Sequence, residues 1–154
     1  MDDTDRTLIG LLQEDASRPY AELARAVHLS TAAVHERVRK LRRTGVIRRT
    51  TVEVDPGALG AVLLAFIEID TEGWLKQPLV DAVRDDPRVE GLHSIAGDTH
   101  FLAKVRVTGP ADLEDLLHAL YRVKGVRNTR THVALQTYVE RLPGPRPSAP
   151  STRS

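Results

Sequence analysis

Residues 20–47 read YAELARAVHLSTAAVHERVRKLRRTGVI, and this stretch decides the fold of the first third of the chain. Leu23, Ala24 and Val27 form the buried stripe of a short helix, and Pro19 stands where a first helical turn tolerates proline. His28-Leu29 marks a tight turn. Ser30 is placed as an N-cap, because its hydroxyl accepts a bond from a free amide of the next turn. The helix that follows, about 31–43, turns Val34, Val38 and Leu41 inward at i, i+4 and i+7. It leaves Thr31, Ala32, His35, Glu36, Arg39 and Lys40 largely outward. Thr44-Gly45 ends it, with Gly45 free to take the left-handed conformation just past the last turn. Two short helices joined by a tight turn, the second basic on its outer side, predict a helix-turn-helix.

The residues on either side support this reading. Leu8, Leu11 and Leu12 predict an amphipathic helix over 5–15, with Asp5 near its start as a cap. Downstream, positions 37–49 hold Arg37, Arg39, Lys40, Arg42, Arg43, Arg48 and Arg49 with no acid among them. A charge run is usually a solvated helix face, but seven cations in thirteen positions without balancing acids is the footprint of a polyanion partner. Candidate DNA contacts are therefore Ser30, Thr31, Ala32, His35, Arg37, Arg39, Lys40, Arg42, Arg43, Arg48 and Arg49. The small residues at the N-terminal end admit base edges, and the cations reach phosphates. Arg37 has a competing role as an ion-pair partner of Glu14 or Asp15 inside the domain.

From Val46 the periodicity changes. Residues 47–54 read as an extended wing or connector, punctuated by Asp55-Pro56-Gly57. Leu59–Ile69 predicts a strand, 74–85 a helix with Leu75, Leu79, Val80 and Val83 inward, and 88–95 and 99–107 two strands around the turn 96–98. Pro110 opens a further helix carrying Leu113, Leu116, Leu117, Leu120 and Tyr121, which Lys124-Gly125 ends. The alternation of Thr129, Thr131, Val133, Leu135, Thr137 and Val139 predicts a last strand over 127–139. The order β-α-β-β-α-β is the ferredoxin-like arrangement, so the chain is α+β. Two helices cover one sheet face. Val62, Leu64 and Phe66 on the other predict that two sheets pack together in a dimer. The expected organisation is a helix-turn-helix domain at 1–50, a connector at 51–60, a ferredoxin-like domain at 61–140 and a disordered tail at 141–154.

Composition narrows the function. With 154 residues there is room for one ordinary domain or two small ones. No apolar run approaches a membrane span, the first residues are acidic, unlike a targeting peptide, and there are no cysteines. That removes disulfides, thiolate metal sites and cysteine nucleophiles, and fits the cytoplasm. No metal is expected: the six histidines show no i, i+4 pair and no His-x-His. No nucleophile–base order and no phosphate-cradling glycine loop stands out, so neither a catalytic site nor a cofactor is expected. The net charge of +1 hides a division, since residues 1–54 carry a net +2 and residues 55–140 a net −4.

Taken in order, these motifs resemble the Lrp/AsnC (feast/famine) family of transcription regulators. The resemblance is carried by Asp5-Arg6, Leu11-Leu12-Gln13-Glu14-Asp15, Ala21-Glu22-Leu23-Ala24, Leu29-Ser30, Ala33-Val34, Arg37-Val38, Leu41 and Gly45-Val46-Ile47. It continues through Val54-Asp55-Pro56, Leu59-Gly60, Gly97-Asp98, Gly125-Val126, Arg127 and Thr129–Thr131. It implies a DNA-binding helix-turn-helix joined by a strand to a ligand-binding and oligomerising module, assembled as dimers and commonly as tetramers or octamers. It also implies a small effector, usually an amino acid, bound between dimers. The contacts it implies are Ala96, Gly97, Asp98, Thr99, His100, Leu135 and Gln136. Two positions depart from the family pattern. His28 stands where glycine is usual, and the turn Gly97-Asp98-Thr99-His100 ends in histidine where the family commonly has aspartate. Two other readings share this architecture. One is a sirohaem-decarboxylase-like enzyme, against which the intact basic run argues. The other is an effector-independent oligomer that shapes DNA.

Overall fold

The computed structural model describes residues 1–72, 76–141 and 144. Two units emerge, one of Met1–Val52 joined by described residues that follow Val139, the other of Glu53–Val139.

The first unit holds three helices: α1 (Asp3–Glu14), α2 (Tyr20–Ala26) and α3 (Thr31–Arg43). The cap of α1 is Asp2, three residues before the expected one. The Asp5 amide donates to Asp2 Oδ1 at 2.8 Å and the Asp2 amide donates to Asp5 Oδ2 at 3.1 Å, a reciprocal capping box. Asp5 thus serves α1 from inside its first turn. The chain leaves α2 through two backbone bonds, His28 N–H to the Arg25 carbonyl and Leu29 N–H to that of Ala24. This closure needs a left-handed residue, and His28 supplies it at φ +55°. Ser30 caps α3 as expected, accepting from the Ala33 amide at 3.2 Å, and Gly45 follows the helix at φ +74°. Leu8, Leu23, Ala24, Val34 and Val38 are the buried centre where the three helices meet.

Residues 46–55 form neither helix nor ladder, and 56–60 are a turn. The first strand therefore starts later than expected. It is β1 (Leu63–Thr71), because Gly60 at φ +73° turns the chain before it can extend. After it come α4 (Lys76–Val83), β2 (Val89–Ser94), β3 (Phe101–Val107), α5 (Pro110–Tyr121) and β4 (Val126–Val133). Trp74 and Leu75, expected to open the fourth helix, lie outside the described residues. So does the expected disordered tail, apart from Arg141 and Gly144.

The sheet order is β2-β3-β1-β4 with every neighbouring pair antiparallel, the ferredoxin-like order. Alternation sends Ala65, Ile67 and Ile69 of β1 and Phe101, Ala103, Val105 and Val107 of β3 to one face. Leu79 and Val83 of α4 and Leu113, Leu116 and Leu120 of α5 pack on them. Each fully buried leucine or isoleucine contributes roughly 1.5–3 kcal/mol.

The other sheet face is less apolar than expected. Leu64 is buried, Phe66 is half-buried, and Val62 lies exposed ahead of the strand. Around them stand ion pairs, Glu68 with Arg130 and His132, and Glu90 with Lys104 and Arg106. The last strand stops at Val133 although its alternation runs on to Val139. Ala134 N–H still donates to the Leu64 carbonyl, but β1 has by then almost run out as a partner.

Candidate functional site

On α3, Val34, Val38 and Leu41 mark the inward side. At 100° per residue, Ala32, Glu36, Arg39 and Arg43 lie on the opposite side, and all four are exposed. Ser30, Thr31, Lys40, Arg42, Arg48 and Arg49 are exposed as well. The helix thus presents a basic surface with a small residue near its N-terminal end, the chemistry needed to approach phosphates while leaving room for base edges.

Two of the expected contacts are placed differently. The Arg37 Nη1 donates to Asp2 Oδ2 at 2.6 Å and to Asp5 Oδ1 at 2.8 Å, tying α3 to the start of α1. The guanidinium is held against α1, away from the outward side. These pairs push the Arg37 pKa above its ordinary value, Asp2 being the larger cause, and hold the Asp2 carboxyl below its own, chiefly through the Asp5 amide and then Arg37. The carboxylates once expected to take Arg37 are engaged elsewhere, Glu14 with Arg18 and Asp15 with Ser17. His35 lies on the flank of α3 that faces α2. Its ring stacks on Tyr20 with centroids 3.8 Å apart and planes 2° from parallel. Tyr20 was not singled out from sequence, where it reads only as the opening residue of a helix.

In the second unit, residues 96–100 form the β2–β3 connection, closed by the Ile95 amide donating to the His100 carbonyl at 3.1 Å. Gly97 adopts φ +147°, and Ala96 and Asp98 are exposed. His100 does not point into solvent as a strand-start residue would. Its Nδ1 accepts from the Thr71 amide at 3.2 Å and stands 2.9 Å from Asp70 Oδ1. The same ring nitrogen thus faces a backbone donor, the Thr71 amide, and a carboxylate, Asp70.

The expected effector set is divided within one chain. Phe101 pairs with Ile69 at one end of β1, whereas Ala134 meets Leu64 at the other. Leu135 and Gln136 therefore lie past the opposite end of the sheet from the 96–100 turn, about 20 Å along the strands. Leu135 is 98% exposed. Among the described residues no three His, Asp or Glu side chains converge as a metal would require, and no helix is long and apolar enough to cross a membrane.

Known proteins share both halves of this arrangement. Residues 1–42 match the AsnC-type helix-turn-helix domain and residues 64–143 the Lrp/AsnC ligand binding domain. The chain is 31% identical over 140 residues to the HTH-type transcriptional regulator FL11 of Pyrococcus horikoshii, covering 91% of this chain and 93% of that one. It is 34% identical over 146 residues to the HTH-type transcriptional regulator LrpA of Mycobacterium tuberculosis, with 90% and 92% covered. A feast or famine regulatory protein of M. tuberculosis, solved with L-methionine, superposes with a TM-score of 0.86 at 32% identity, covering 94% of this chain and 99% of that one. A helix-turn-helix with a capped basic helix, followed by a four-stranded ferredoxin-like unit, places this chain in the Lrp/AsnC family of transcriptional regulators.

Proposed function

We propose that the protein binds double-stranded DNA sequence-specifically and regulates transcription in the cytoplasm, in response to a small molecule of the amino-acid class. The observation that carries the DNA half is the surface of α3, where Arg39, Lys40, Arg42 and Arg43 are exposed behind a serine-capped, small-residue N-terminal end. Support for the effector half comes from the M. tuberculosis relative solved with L-methionine and from the turn at Ala96–His100. The reading is that of a regulator, not an enzyme, and its relatives carry regulators' names. The working form is a homodimer assembling further to tetramers or octamers. The sheet face bearing Phe66 and its flanking ion pairs packs between copies, and the effector lies where copies meet.

Gel retardation with the DNA upstream of the protein's own gene, repeated at several salt concentrations, tests the DNA half. The specific complex should form at nanomolar-range protein, and log affinity should fall linearly with log salt. Retardation no better than that of random DNA overturns the reading. A melting screen over the amino acids, read together with light scattering, tests the effector half, since a ligand binding only the folded state raises the melting temperature.

A further inference from the structure

The outward side of α3 carries one carboxylate, Glu36, directly before the acid-free basic run. Its Oε2 accepts from Arg39 Nη1 at 3.1 Å, with 61% of the Glu36 side chain and 70% of the Arg39 side chain exposed. One turn earlier, Ala32 stands on the same side, and its methyl leaves the approach to Glu36 open. Lys40 is exposed one turn later.

A carboxylate on a surface that meets phosphates is repelled by them. The pair with Arg39 offsets part of that repulsion, and a hydrogen bond accepted from the DNA would make the carboxylate favourable there. In the major groove the only donors are the N4 amine of cytosine and the N6 amine of adenine. Adenine sets its N7 acceptor beside N6, where an acceptor-only carboxylate meets a second lone pair. Guanine and thymine offer only acceptors to this group. Cytosine presents a donor with no acceptor beside it on its own edge, the nearest being O6 of the paired guanine on one side only. The contact with Arg39 engages Oε2 and leaves Oε1 for the base.

We infer that Glu36 is a specificity-determining residue that reads cytosine through its N4 amine. The inference rests on the DNA-binding reading above. It gives a cost to every other base at one position of the site, whereas the surrounding cations give affinity to all sequences alike.

The experiment is selection of the preferred site from a randomised duplex pool by the full-length protein. Fluorescence anisotropy then follows with each base substituted in turn, and with N4-methylcytosine, which keeps its pairing N–H and replaces the groove-facing one by a methyl. The wild type should discriminate against non-cytosine bases and N4-methylcytosine at one position by about tenfold or more. In Glu36→Ala that discrimination should disappear at that position only, and in Glu36→Gln, whose amide accepts from N6 while donating to N7, adenine should become tolerated there. Binding to random DNA should tighten, because a negative charge has been removed. If both variants select the wild-type site unchanged, with all affinities raised in parallel, Glu36 is only a surface charge paired with Arg39 and the inference fails alone. If the wild type selects no site, the DNA-binding reading fails with it. Both substitutions are at an exposed position, and an unchanged melting temperature confirms intact folding.

Discussion

Single residues in the first unit separate folding from DNA contact. His28 occupies the left-handed position that closes α2, at φ +55° and exposed, so its side chain gains little and its backbone is strained. His28→Gly should stabilise the protein by about 0.5–1 kcal/mol, the relief of strain outweighing the added freedom of the unfolded chain. Urea denaturation measures it, and a lower midpoint means the imidazole makes a contact that matters more than the turn. Arg37 and Arg43 are both arginines of the basic run; an internal ion pair is legible for Arg37 in sequence, but with Glu14 or Asp15 as its partner, not the acids it meets. The difference comes from Asp2 and Asp5, brought back from 35 and 32 positions away. Arg37→Met should lower the melting temperature and leave the salt slope of DNA binding unchanged. Arg43→Ala should leave melting unchanged and reduce the slope by about one unit, the signature of one lost phosphate contact. Reversed results would move Arg37 to the DNA and Arg43 to the fold.

At the level of elements, local periodicity revealed nearly every helix and strand, because apolar spacing at 3.6 and at 2 is written into consecutive residues. Where strands start and stop was less legible. β1 begins at Leu63 because of the left-handed Gly60, and β4 ends at Val133 because its partner ends; both are facts about neighbours. The joint between α5 and the start of β2 was equally hidden. Arg88 donates to Asp86 at 2.7 Å and to Asp112 at 3.0 Å, and Asp112 also accepts from the Thr108 amide at 2.9 Å. Arg88 holds the Asp86 carboxyl below the usual carboxylate range. The Thr108 amide, and then Arg88, do the same for Asp112. Groups depressed in the folded state stabilise it above their unfolded pKa, about 3.9, and lose that contribution as pH falls through their folded values. Arg88→Met should therefore lower the urea midpoint at pH 7 and by a similar amount at pH 5. Below about pH 4 the gap to wild type should narrow as the carboxyls protonate. A gap that persists at pH 2 would mean Arg88 acts through the packing of its aliphatic stem.

Over the whole molecule, the near-zero net charge is a sum of unlike parts, a basic helix-turn-helix and a sheet-bearing unit of net −4 between residues 55 and 140. The division of the effector residues follows from the same long-range geometry and could not be read along the chain. Antiparallel pairing through β1 sends the 96–100 turn to one end of the sheet and Leu135–Gln136 past the other. If all of these residues touch one effector, at least two copies of the chain must supply them. Effector binding is then linked to assembly. The melting-temperature rise caused by the amino acid identified in the screen, with L-methionine tried first, should grow with protein concentration beyond what ligand saturation explains. Leu135→Asp changes a fully exposed residue, so the unliganded protein should stay within about 0.5 kcal/mol of wild type. In this variant the ligand-induced rise should vanish, and light scattering should show a smaller assembly. An undiminished rise in a sample that scatters as a monomer would show that a single chain completes the site, and Leu135 and Gln136 would then lie outside it.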